Sequence, residues 1–402
     1  MKETRHARSG RDRKSHLSAD AERLVAAALG LSHSGSRVED RYWDAQLAQR
    51  IDRLLDTGHP QSIYDALDRL NQTDGEAYGA LIEAVESASE SLVIEHDGRP
   101  WEVVLVAAPV VAWTRFRIPS GPIPADALAA LSAHWQAHVL ARDVRFRMAP
   151  LSYSVDQLPR DFAELRRLTR RLGTWAVTGT GSARQDAKSL PETAEMLADS
   201  RFLVAAVAAP PGAPLFRWQH TDASDHASRV ACLEQWIAQA RTWIESLLPG
   251  CGFECLLPDA YHINLREADR RVRPYAINAG VHFLTHALGV EPSGLRATVA
   301  PFGDDRVDEY RIGLSVGDSE EVAQGVVWPL LGAESETDEP SPLDRIRETL
   351  REAGVVDVRT WPDLTEPEYC EDCGVPLYPN HAGEVVHAEM PEDAEPESSH
   401  FH

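Results

Sequence analysis

A chain of 402 residues is longer than one ordinary hydrophobic core can serve, so two or three domains are expected. Hydrophobic content of 43% is enough to bury a core, and a formal net charge of −23 disfavours nucleic acid and anionic membrane, because phosphate neutralisation needs a basic surface. No run approaches the roughly 18 apolar residues that span a bilayer, the basic N-terminus lacks the apolar stretch of a signal peptide, and five cysteines are too few for a disulfide scaffold. The expectation is a cytoplasmic protein whose partner is another protein or a second copy of itself, with no membrane.

Residues 1–17 read as a disordered basic arm, charged and without periodicity. Residues 18–90 read as a helical region. Ser18 can cap a first helix, and Ser36 with Glu39 has capping-box spacing before the second. Leu47, Ile51, Leu54 and Leu55 then recur at helical steps, and Pro60 suits the first turn of a third helix.

The next part of the chain carries a stretch that occurs twice. Leu-Val-Ala-Ala stands at Leu105–Ala108 and again at Leu203–Ala206. Each copy leads through an Arg/aromatic cluster, an amphipathic segment and a short apolar strand to Pro-x-x-Tyr, at Pro150–Tyr153 and Pro258–Tyr261. The fold class expected is therefore α+β: the N-terminal helical region, two repeated α/β units over 91–182 and 183–331, and a small C-terminal zinc-knuckle-like tail. A ferredoxin-like topology is one candidate for the repeated units.

Within the first unit, Asp97-Gly98 predicts a hairpin turn between Leu92–Glu95 and Trp101–Ala108. Val144–Met148 reads as a strand and 160–172 as a basic helix. The arginines Arg166, Arg167, Arg170 and Arg171 on that helix read as a solvated face, with nucleic-acid binding by helix and arm as a third alternative. Trp175–Val177 reads as a strand, and Thr178–Ser182 after it lacks the Gly-Lys-Ser/Thr of a phosphate loop. In the second unit, 226–248 has a strong helical apolar stripe, Tyr261–Leu265 alternates like a strand, and a helix is expected near 271–288. Residues 332–363 read as an acidic linker and short helix. Residues 364–402 form a polar tail that needs a staple to fold.

Two constellations could carry chemistry. The matched clusters supply Arg115, Arg117 and Arg217, and the polar run after the second strand supplies His262. Gathered in a cleft between the repeats, they could hold a carboxylate or phosphate; structural ion pairs are the competing reading. The other constellation is Cys370-Glu-Asp-Cys373-Gly374. Two cysteines two apart can turn both thiolates onto one metal, and the glycine permits the tight reversal of a zinc knuckle. His381 and His387 are the candidate third and fourth ligands of a structural zinc, with His400 and His402 as further donors. A redox dithiol and an unmetallated turn are the alternatives.

His33-Ser-Gly-Ser-Arg37 with Glu39, Asp40 and Trp43, then Ile118-Pro-Ser-Gly-Pro122, then Cys370 to Pro379 and Val386-His387-Ala388-Glu389, resemble a bacterial family called domain of unknown function 2863. The resemblance covers about 18–393. It implies that the cysteine tail is an integral part of the protein and carries over no catalytic residue. The function expected is a non-enzymatic, zinc-stabilised interaction or regulatory protein, with an enzyme or ligand-binding protein using an inter-repeat cleft as the alternative.

Overall fold

The computed structural model describes residues 17–180, 190–221, 226–332, 334, 335 and 337–391. Residues 1–16 of the expected basic arm, Ser182, His400 and His402 lie outside them. Four helices open the chain: α1 (Ala19–Ser32), α2 (Arg37–Asp56), α3 (Gln61–Thr73) and α4 (Gly75–Glu90). Then come β1 (Ser91–His96), β2 (Arg99–Trp113), β3 (Gly121–Pro122), α5 (Ala125–His138), β4 (Arg145–Ser154), α6 (Phe162–Thr178) and β5 (Ala198–Ala209). They are followed by α7 (Arg229–Leu247), β6 (Gly252–Cys255), β7 (Asp259–Ala260) and α8 (Tyr261–Leu288). The chain continues through β8 (Leu295–Phe302), β9 (Glu309–Val316), β10 (Gln324–Pro329), α9 (Pro342–Glu352), β11 (Asp357–Thr360), β12 (Tyr378–Pro379) and β13 (Val385–Val386). Among the described residues no helix is long and apolar enough to cross a membrane.

The first compact unit contains the four N-terminal helices together with residues 159–170 at the start of α6. Its caps follow the sequence. The Ser18 hydroxyl accepts from the Ala21 amide at 3.1 Å, and the Ser36 hydroxyl from the Glu39 amide at 3.3 Å. Glu39 reaches the Gly35 amide, one residue before the partner a full capping box would give it. Leu24, Leu47, Ile51, Ile63, Leu70 and Leu81 fill the core. The arginines of α6 are less free than a solvated face implies. Arg166 is buried, donating to Asp56 at 3.1 Å and to the Ala88 and Ser91 carbonyls at 2.6 and 2.7 Å, with Asp52 3.1 Å away. Arg170 reaches the same Asp56 at 2.7 Å. Partial burial works against ionisation of Asp56, yet hydrogen bonds from Arg170 and Arg166 hold its carboxyl below the ordinary value.

The second unit, residues 93–158 and 171 onward, is built on two large sheets, with the two-stranded ribbon β12-β13 as a third among the described residues. Asp97 and Gly98 both adopt positive φ (52° and 68°), which makes the turn between β1 and β2 the tight hairpin the sequence predicts. The first sheet runs β1-β2-β5-β4-β3, with β7 and β6 also paired to β2. Its centre corrects the picture of two separate repeated units. The two Leu-Val-Ala-Ala copies are antiparallel neighbours in one sheet, Leu105 opposite Ala206 and Ala108 opposite Leu203. Each large side chain therefore meets a small one across the ladder, which lets both faces be covered closely. α5 and α7 pack together on one face, where Trp135 and Trp236 meet edge to face at 6.0 Å.

Other expectations change for local reasons. β4 is longer than expected and absorbs Pro150–Tyr153, whereas Pro258–Tyr261 leads into a helix, so the two Pro-x-x-Tyr landmarks are not equivalent. Trp175–Val177 is the last turn of α6 rather than a strand. That helix continues through Gly173, where a Cβ would overlap Val103. Tyr261–Leu265 is likewise helical, and α8 runs 28 residues through Pro274.

α8 serves both sheets. In its first half, Asn264 donates to the Ala107 and Leu257 carbonyls at 2.6 and 2.8 Å. Tyr275 stacks on Trp113 at 4.1 Å, and its hydroxyl donates to Glu254 at 3.0 Å. In the second half, Ile277, Val281 and Leu284 join the core of the second sheet, ordered β10-β9-β8-β11 and closed by α9. Only β11 is parallel to its neighbour.

Burial pushes the Asp269 carboxyl on α8 up to about 6, against the opposing pull of Arg273. Its folded state therefore holds the proton more tightly than the unfolded chain. The stability this proton confers is full below the unfolded pKa near 3.8 and is lost as pH rises through about 6. Asp269→Asn should raise stability at pH 7.5 by an amount on the order of 2–3 kcal/mol and flatten the gain on acidification to pH 5. Denaturant unfolding at both pH values checks this; equal pH dependence in the two proteins contradicts it.

Candidate metal centre

The polar C-terminal segment folds against the second sheet. Along β9, Ile312 and Leu314 join the helix-side core, while Arg311 and Gly313 alternate to the other face. Gly313 pairs with Gly325 of β10, and the chain crosses just there. A Cβ at Gly325 would overlap the Tyr378 ring, and one at Gly313 would overlap the Pro379 carbonyl. The two glycines thus make a seam in which β12 lies.

Arg311 ties the segment down. It has no exposed surface, and its Nε donates to Glu309 at 2.6 Å. Its Nη1 donates to the Glu368 carbonyl at 2.6 Å and to the Leu377 carbonyl at 2.9 Å. The guanidinium lies 4.4 Å from the Phe302 ring centre and 5.0 Å from that of Tyr369. Glu368 and Leu377 are the two ends of a hairpin that carries the cysteines. The Leu377 amide donates to the Glu368 carbonyl (3.0 Å), the Cys370 amide to Val375 (2.8 Å), and the Gly374 amide back to Cys370 (2.8 Å). Gly374 has φ 74°, the left-handed conformation such a reversal requires.

At this turn the donor atoms of Cys370, Cys373 and His387 all lie within 4.8 Å of one another. Cys373 Sγ is 3.3 Å from His387 Nε2. The other ring nitrogen, Nδ1, lies 3.4 Å from a carboxylate oxygen of Glu389, at ion-pair distance. The Cys373 and Asp372 amides point at the Cys370 sulfur and draw its thiol below the ordinary value. The pairing of β12 with β13, Tyr378 opposite Val386, brings His387 back beside the cysteine turn.

His381, expected as a ligand, is not in this group. It is buried with Nδ1 2.6 Å from the Thr298 hydroxyl, its carbonyl accepts from Arg359, and Nε2 faces Asp357 at 3.8 Å. Burial, with Arg296 nearby, lowers its pKa. It fastens the segment to β8 and β11.

The chain belongs to a family of unknown function. The model of that family, described as "Protein of unknown function (DUF2863)", matches residues 9–401, so the cysteine segment is part of what defines it. No curated protein and no solved structure matches the chain.

The four side chains expected to share a cleft are not brought together. Arg115 and Arg117 are exposed just past the end of β2, where Arg115 contacts His286 of α8. Arg217 lies past the end of β5 and donates to the Ala137 carbonyl at 2.7 Å. Because β2 and β5 are antiparallel, these clusters sit at opposite ends of the sheet. His262 is in the first turn of α8, edge-on to Tyr261. A cavity of about 530 Å³ lies elsewhere, among residues that include Pro301, Val307, Leu330, Glu334 and Leu364, and none of the four lines it. Glu334 there is gripped by both Arg273 Nη atoms at 2.8 and 2.9 Å, and those bonds lower its carboxyl pKa.

Sequence reasoning passed over Arg311 and Thr298. The available signal was a charged or hydroxyl residue placed inside an apolar strand run. Arg311→Met removes the charged partner of Glu309 and a donor to each of the Glu368 and Leu377 carbonyls, and should destabilise the protein by about 3 kcal/mol or more. Arg311→Lys should recover little, lacking the guanidinium fork. Denaturant unfolding with limited proteolysis of 364–391 checks both; wild-type stability and cleavage in the two variants contradicts the assignment.

Proposed function

We propose that Cys370, Cys373 and His387 hold a structural zinc ion that staples the C-terminal segment to the body. We further propose that the protein is a non-enzymatic scaffold acting through a protein partner or a second copy of itself, in a reducing, cytoplasmic setting. The observation that carries the zinc reading is the convergence of two thiols and an imidazole within 4.8 Å on a glycine-terminated turn. Soft thiolate and imidazole donors in a small set suit zinc better than magnesium or calcium, which take oxygen. Glu389, 3.4 Å behind His387, is near enough to become the carboxylate that a ligating imidazole usually carries. The binding free energy would supply the stability that a short, acidic segment lacks. The cleft alternative draws little support from Arg115, Arg117, Arg217 and His262, which do not share a pocket.

The same reading extends to the body. The order β6-β2-β5-β4, with α5 joining β2 to β4 and α7 joining β5 to β6, supports one ferredoxin-like unit made from both copies. Each Leu-Val-Ala-Ala copy would then begin one βαβ half, with α6 inserted between the halves.

Metal analysis of the full-length protein purified under reducing conditions tests the zinc. One zinc per chain is expected, with Cys373→Ser and His387→Ala each losing most of it and His381→Ala keeping it. Metal-free wild-type protein, or loss in the His381 variant with retention in the His387 variant, contradicts the reading.

A further inference from the structure

We propose that the Cys370–Cys373 turn is a thiol switch: oxidation by a hydroperoxide joins the two sulfurs, expels the metal and loosens only the last part of the ribbon. The inference rests on the zinc reading and adds its regulation. Cys373 is exposed and Cys370 half-buried, so the pair can be reached from solvent. Their sulfurs already lie within 4.8 Å on a single turn closed by the Gly374–Cys370 backbone bond, so a disulfide needs only a small movement. The other thiols compete less well: Cys251 is half-buried and has no neighbouring thiol on its own turn, and burial raises its pKa. Cys232 and Cys255 are buried, and burial pushes the Cys255 thiol up to about 12, which keeps it protonated.

The chemistry balances. The Cys373 thiolate attacks one peroxide oxygen and the O–O bond breaks. The sulfur becomes a sulfenic acid, and the second oxygen leaves as hydroxide or alkoxide and takes a proton. The Cys370 thiolate then attacks the Cys373 sulfur. An S–S bond forms, the S–OH bond breaks, and that hydroxide leaves as water. Two sulfurs lose one electron each and the peroxide gains two. Zinc keeps its charge but loses both thiolates, and a lone imidazole does not retain it.

Structure determines what opens. The first hairpin is held at Glu368 and Leu377 by Arg311 and does not need the metal. His387 does. Beyond it the chain is tied by the Glu389 amide to the Val322 carbonyl at 2.8 Å and by Met390 against the core. Loss of the metal removes the tie at His387 and leaves 385–391 on the β12–β13 pairing, the Glu389 bond and Met390 alone, so this stretch opens more readily while 368–377 stays closed.

The test treats zinc-loaded full-length protein with hydrogen peroxide. It follows zinc with a chromophoric chelator, maps disulfides on peptides, and measures amide exchange before and after. Expected are one zinc released per Cys370–Cys373 disulfide, exchange at 385–391 faster by about tenfold or more, unchanged exchange at 368–377, and reversal by dithiothreitol with zinc. Cys251→Ser should behave as wild type. Zinc that stays bound while peroxide is consumed, or a disulfide formed through Cys251, overturns the switch and leaves the zinc reading standing. Reduced protein without zinc removes both.

Discussion

A guanidinium with no exposed surface has to find its acceptors inside the protein, and for Arg311 two of them are backbone carbonyls of the C-terminal ribbon. That requirement organises the whole end of the chain. It fixes both feet of the cysteine hairpin and places Tyr378 and Pro379 over the Gly313–Gly325 seam. It also sets the return strand so that His387 arrives beside Cys373. A segment with few apolar residues gains little from burial alone. Here directional bonds from a buried charge do the positioning, and a metal would complete it.

The body rests on a different economy. Twelve residues of β2 face twelve of β5 without a break, from Glu102–Ala209 to Trp113–Ala198. At its centre, from Leu105–Ala206 to Ala108–Leu203, each large residue faces a small one, which lets both faces be covered closely. α5 and α7 pack on one side, and the first half of α8 packs against these strands as well. α8 then extends into the second sheet, so the surface that receives the ribbon is built on a helix anchored in the first.

Local features were legible in the sequence and distant ones were not. The Asp97-Gly98 turn, the Ser18 and Ser36 caps and the Cys370–Gly374 turn each depend on neighbours a few residues away. The duplicated Leu-Val-Ala-Ala was visible too, but its meaning depends on pairing between residues about a hundred positions apart, which periodicity does not carry. Copies that read as two units are two adjacent strands. The histidines show the same limit. Spacing alone made His381 and His387 equal candidates, and a hydroxyl 83 residues away, on Thr298, engages the first. The first half of α8 was hidden because Tyr261 and Ile263 alternate like a strand, whereas the helix expected near 271–288 is its second half.

Zinc K-edge X-ray absorption on the reduced full-length protein tests the central claim most directly. The account predicts two sulfur neighbours at about 2.3 Å and at least one nitrogen at about 2.0–2.1 Å, with one sulfur lost in Cys373→Ser. A first shell of oxygen and nitrogen alone, unchanged by that substitution, would contradict it.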